Sequence, residues 1–71
     1  MVDMMPVNNE NILTIGYDDK NNSLHVKYDD NSLYKYCNIE LEMFTNLLFS
    51  SSKSSFLKDN ILEKFRCIKI D

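Results

Sequence analysis

The apolar residues of this chain change their spacing once, near Asn38, and that change limits the folds open to it. Up to Tyr36 they recur at every second position: Leu13, Ile15 and Tyr17, then Leu24, Val26 and Tyr28, then Tyr34 and Tyr36. A period of two belongs to strands with one buried face. From Glu40 onward the interval lengthens. Leu41, Met43, Phe44, Leu47 and Leu48 fall on one broad helical face, and Phe56, Leu57, Ile61 and Phe65 repeat at helical spacing. Strands followed by helices, without alternation between the two, predict an α+β domain. With 71 residues there is room for one domain, and nearly every apolar side chain is needed in its core. That length excludes a two-domain enzyme, a doubly wound nucleotide-binding fold and a barrel around a buried active site.

The turns set the register. Asp18-Asp19-Lys20-Asn21-Asn22-Ser23 is a cluster of turn-forming residues. Pairing Tyr17 with Leu24 across it sets Ile15 opposite Val26. The second turn is more tightly determined. A two- or four-residue loop would set Tyr34 opposite Lys27, whereas a three-residue loop pairs Tyr28 with Ser32, Val26 with Tyr34 and Leu24 with Tyr36. Only the latter keeps the tyrosines on the apolar face. It requires Asn31 in the left-handed conformation, as in a G1-type bulge, which Asn accepts more readily than most residues.

The first helix is expected from Glu40 to Phe49, with Asn38 as its cap and Glu40 and Glu42 favouring its positive end. The serine-rich run 50–55 breaks it, and a second helix is expected over Ser54–Lys64. Cys67-Ile68-Lys69-Ile70 alternates and predicts a short C-terminal strand. The expected architecture is therefore two-layer: a three-stranded antiparallel meander followed by two helices packed on one face. Residues 1–11, with Pro6 and an Asn-rich run, read as an irregular arm, and residues 12–71 as a single domain.

The net charge of −3 is unevenly distributed. Residues 1–34 carry six acids against Lys20 and Lys27, while residues 35–71 carry five acids against six bases. An acidic first half repels phosphate backbones and disfavours a general nucleic-acid binder. Two cysteines thirty residues apart, no signal-peptide pattern and no apolar run of membrane-spanning length predict a cytoplasmic protein with reduced thiols.

Candidate chemistry is sparse. Thr14, His25, Lys27, Leu33, Lys35 and Cys37 should share the face opposite the tyrosines, where Lys27 and Lys35 beside His25 form a small basic patch. Lys53, Lys58, Lys64, Arg66 and Lys69 form a second basic group along the second helix and tail. His25 and Cys37 lack a third orienting group, so no nucleophile pair is assigned. One His and two distant Cys do not make a zinc set, and a single Gly cannot form a phosphate loop. No catalytic residue, metal or cofactor is expected.

Met5-Pro6-Val7, Ile12, Ile15-Gly16-Tyr17-Asp18, Leu24, Val26, Tyr28 and Tyr34-Lys35-Tyr36 together resemble the KTSC domain. This family is found at the C-terminus of some lysyl-tRNA synthetases and as stand-alone proteins of bacteria and their viruses. The resemblance runs from about Met5 to Ile70 and implies a small domain with RNA contact suggested by context. Lys53, Lys64 and Arg66 fall near basic positions of the family. Where the family carries Gly in its second hairpin this chain has Asn31, and where it opens the first helix with Val-Pro this chain has Ile39-Glu40. Two functions are carried forward, both non-catalytic. One is RNA contact through His25, Lys27, Lys35, Lys53, Lys58, Lys64 and Arg66. The other is a protein-interaction module, adaptor or inhibitor, that docks a partner or a second copy through a short edge strand or a helix face.

Overall fold

A computed structural model describes residues 3–70 of the chain. Met1 and Val2 of the expected arm, and Asp71 at the end of the expected domain, lie outside them. The element order is β1 (Met5–Asn9), β2 (Ile12–Asp18), β3 (Ser23–Tyr28), β4 (Leu33–Tyr36), α1 (Leu41–Phe49), α2 (Lys53–Asn60) and β5 (Cys67–Lys69). The five strands form one antiparallel sheet in the order β1-β2-β3-β4-β5. β5 reaches its place beside β4 by way of the two helices.

The central registers follow from the side-chain pattern. Tyr17 pairs with Leu24 and Ile15 with Val26 across β2 and β3. Val26 pairs with Tyr34 and Leu24 with Tyr36 across β3 and β4. Tyr28 and Ser32 close the second turn by an N–H···O bond of 2.9 Å, and Asn31 sits at φ 68°, the left-handed position that the three-residue loop demands. In the first turn the Asp18 carboxylate accepts from the backbone N–H of Lys20 (3.0 Å) and from the Asn21 side chain (2.8 Å). The Asn21 bond foremost holds the Asp18 carboxyl below its usual range.

The sheet has five strands: β5 is the short C-terminal strand expected at Cys67–Ile70, and β1 is the addition that corrects the three-stranded meander. β1 lies in the segment expected to be irregular, because its polar residues carry little alternation while its backbone still bonds to β2. A bulge produces the second correction. Ile12 pairs with Tyr28 and Thr14 with Lys27, so Leu13 is an extra residue on β2. The bulge brings Ile12 onto the face of Ile15, and both are fully buried, whereas Leu13, expected in the core, is only half-buried.

The core joins Ile12, Ile15, Leu24, Val26 and Tyr36 of the sheet to Ile39, Phe44, Leu47, Leu57 and Ile61 in one cluster. Tyr17 stacks on Phe44 with ring centroids 5.2 Å apart, and its hydroxyl donates to the Ile39 carbonyl at 2.7 Å. Leu41, expected on the buried face of α1, is 59% exposed, because the helix begins there rather than at Glu40 and Phe44 and Leu47 set its inward direction. Asn38 does not cap α1. It takes a left-handed turn at φ 60°, and Glu40 stands at the cap without a side-chain bond. α2 ends at Asn60 instead of Lys64, since Ile61 enters the core from a turn.

The start of α2 is completed from outside the helix. Ser52 accepts from the backbone N–H of Ser55 (3.4 Å) and donates to the Glu10 carboxylate (2.6 Å). Glu10 also accepts from the Ser54 N–H (3.3 Å), and the Asn9 side chain accepts from the Lys53 N–H (3.0 Å). Residues of the β1–β2 turn thus satisfy N–H groups that a helix cannot satisfy for itself. Glu10 sits at φ 57°, a left-handed conformation that costs energy in any residue with a Cβ.

Candidate binding face

The pleat sends β-strand side chains alternately to two faces. One face carries Ile15, Leu24, Val26 and Tyr36 into the core. The other, here called the outer face, carries Thr14, His25, Lys27, Leu33 and Lys35, followed by Ile68 of β5 and Ile70 just beyond it. His25 lies opposite Lys35 and Lys27 opposite Leu33. Lys35 in turn lies opposite Ile68, and the Ile70 N–H donates to the Leu33 carbonyl at 2.8 Å. Register alone therefore sets His25, Lys27 and Lys35 side by side, next to an apolar strip of Leu33, Ile68 and Ile70. Ile68 is 43% and Ile70 49% exposed, enough for an incoming surface to gain from covering them.

His25 is the most unusual group on this face. Its Nε2 is buried without a hydrogen-bond partner, although the residue as a whole is only half-buried. Opposite it stands Gly16, which is buried although it has no side chain of its own. Burial foremost, and then the Lys35 ammonium, push the imidazole below its ordinary value of 6.5, while Asp18 opposes the shift. The ring is therefore held neutral near pH 7, and the positive charge of the patch comes from the two lysines.

The remaining sequence candidates are placed elsewhere. Lys53 opens α2, with its Nζ donating to the Ser50 carbonyl at 3.2 Å. Lys58 lies in the last turn of α2, Lys64 in the turn after it and Arg66 just before β5, all exposed. The pairing that unites His25, Lys27 and Lys35 does not extend to Lys53, Lys58 or Lys64, whereas Arg66 adjoins it, its carbonyl accepting from the Cys37 N–H at 2.9 Å. Sequence reasoning placed Leu33 on the outer face but passed over Ile68 and Ile70 as surface residues. The alternation of 67–70 marked a strand, but which of its residues share the side of Lys35 is set by the Lys35–Ile68 register.

The tyrosines are positioned for packing. Tyr36 is buried, its hydroxyl lies 2.8 Å from that of Tyr28, and Tyr28 meets Tyr34 edge to face at 5.5 Å. Burial and this shared bond push the Tyr36 hydroxyl far above its usual range, and burial raises Tyr28 as well. Neither phenol is poised to act as a base at neutral pH. An open cavity of about 180 Å³ lies beside the start of α1, lined by Asn38, Glu40, Glu42, Met43, Asn46 and Phe65. It falls below the roughly 300 Å³ at which small-molecule pockets begin. Among the described residues no cluster of three metal-ligating side chains occurs, and no helix is long and apolar enough to cross a membrane.

Comparison with known proteins bears on the fold. No curated protein sequence matches the chain. Among solved structures, the crystal structure of a KTSC domain protein from Yersinia pestis superposes with a TM-score of 0.95 at 31% identity, covering 100% of both chains. The model of the KTSC domain matches residues 8–65, from the end of β1 to the turn before β5. By that match, the chain belongs to the KTSC domain family.

Proposed function

We propose that this protein is a non-catalytic protein-binding module that docks its partner on the outer face of β3, β4 and β5. The observation that carries this reading is the composition of that face. Leu33, Ile68 and Ile70 supply apolar area, and Lys27 and Lys35 border it with positive charge. An apolar centre with a charged rim is the usual anatomy of a protein interface. The partner that fits is an apolar surface flanked by carboxylates, which would pair with the two lysines and steer the encounter. RNA is the second reading, favoured by the adjacency of His25, Lys27 and Lys35. One feature weighs against it: base stacking wants exposed aromatic rings, whereas the tyrosines of the sheet are engaged in packing.

A photo-crosslinking residue at Lys35, introduced in cells that express the protein, tests the two readings. The expected adduct is destroyed by protease, resists nuclease and disappears when Lys27 is changed to Glu. A nuclease-sensitive adduct would replace the protein partner with RNA.

A further inference from the structure

The two edges of the sheet differ. β1 carries Pro6, which has no backbone N–H, and Asn8 at φ 44°, where its register with β2 slips. Proline and bulges of this kind keep an edge from pairing with another strand. β5, at the opposite edge, has neither, and its protection is limited to its three-residue length and the exposed Lys69. Its hydrogen-bonding phase can be read from the two bonds that flank it. The Cys37 N–H donates to the Arg66 carbonyl at 2.9 Å, and the Ile70 N–H to the Leu33 carbonyl at 2.8 Å. Arg66, Ile68 and Ile70 therefore turn their backbone groups toward β4. By the alternation of an antiparallel ladder, Cys67 and Lys69 turn theirs outward. The open edge thus presents two donors and two acceptors, placed symmetrically about Ile68.

We propose that β5 pairs with β5 of a second copy of this chain, antiparallel about a two-fold axis at Ile68, so that two five-stranded sheets join into one. In this register Cys67 of each copy exchanges N–H···O bonds with Lys69 of the other. Ile68 meets its counterpart on the axis, and Arg66 lies opposite Ile70. No like charges are opposed, so the basic residues around β5 do not forbid the pairing. The outer-face strip of Leu33 and Ile68 becomes continuous across the axis, with each Ile68 flanked by its counterpart and the outer face still open to a partner. The assembly closes at two copies, because each uses its one open edge and the edge at Pro6 and Asn8 cannot extend it. The interface is small, below the roughly 1,200 Å² of stable complexes, so the dimer exchanges with monomer and forms at high protein concentration. The pairing uses the backbone edge and does not depend on which partner the outer face binds.

Sedimentation velocity of the full chain, from about 10 μM to about 1 mM, tests the pairing by mass action. The weight-average mass should climb from one chain toward two. Lys69→Pro removes an outward N–H without touching the bonds to β4, so it should keep the fold and weaken association at least about tenfold. Ile68→Asp sets two carboxylates together on the axis and should weaken it comparably, which keeps the test open should Lys69→Pro unfold. A wild-type chain that remains a monomer throughout the range overturns the proposal, as does a dimer that both variants leave unchanged.

Discussion

Replacing His25 with Phe should stabilise the protein, and by more in acid than at neutral pH. The Nε2 of His25 is buried with no partner, an arrangement that costs about 1–3 kcal/mol relative to a satisfied or apolar group. Because the residue is only half-buried, the lower end applies, about 1 kcal/mol. Phenylalanine keeps an aromatic ring opposite Gly16, so little packing is lost. The pH dependence follows from the direction of the shift. Burial and Lys35 hold the folded imidazole below the 6.5 at which the unfolded chain titrates. As pH falls below about 6.5 the unfolded chain takes up a proton that the folded chain resists, so the wild type loses stability while the variant is spared. Thermal unfolding at pH 7.5 and pH 5.5, followed by circular dichroism, should show the variant melting about 4–8 °C higher at pH 7.5, with a larger gap at pH 5.5. Asp18 and Asp30 have depressed values, so their contribution is lost only on titration below the 3.8 of the unfolded chain, outside this window. A variant no more stable than wild type, or a gap that stays constant between the two pH values, would refute the reasoning.

Three further outcomes can be measured by urea unfolding. Asn31→Ala should cost about 1–2 kcal/mol because alanine resists the left-handed turn, whereas Asn31→Gly should be neutral or mildly stabilising. Leu47→Ala should cost about 2–5 kcal/mol, against less than about 0.5 kcal/mol for Leu41→Ala on the exposed side of the same helix. Ser52→Ala should cost about 1 kcal/mol through loss of the α2 cap, and this cost should shrink in a Glu10→Ala background, where the Ser52–Glu10 bond is already gone.

The centre of the sheet was legible because one-sided burial and turn chemistry pointed to the same register. A slip of one residue at Asn31 would have turned Tyr34 and Tyr36 to solvent, and no alternative loop avoided this. The edges were less legible. Met5–Asn9 pairs through its backbone, and its side chains carry no clear period of two. The bulge at Leu13 broke the period inside β2, so simple alternation exchanged Ile12 and Leu13. The end of α2 was hidden because Ile61 and Phe65 continue a helical spacing that the chain fulfils with turns. For the binding face, the cross-strand proximity of His25, Lys27 and Lys35 followed from the same register. The apolar half of the face required knowing that β5 lies beside β4, a contact between residues more than thirty positions apart that no local pattern encodes.

The completion of α2 by Asn9 and Glu10 bears on the order in which the chain assembles. Eight residues are too few for a helix to persist alone in water. Four of those residues, Lys53 to Phe56, face no acidic residue in their own first turn, and the carboxylate at that end arrives from Glu10. α2 is therefore expected to form late, so that Ser52→Ala should speed unfolding and leave the refolding rate nearly unchanged in stopped-flow measurements. The bonds of α2 to Asn9 and Glu10 form only once the β1–β2 turn is in place, across a separation of some forty residues. A late contact of this kind speeds unfolding when it is weakened and leaves the folding rate nearly unchanged. The left-handed strain at Glu10 is borne in the first turn of the sheet, yet what it secures is the lifetime of the folded state, by tying the first hairpin to the last helix.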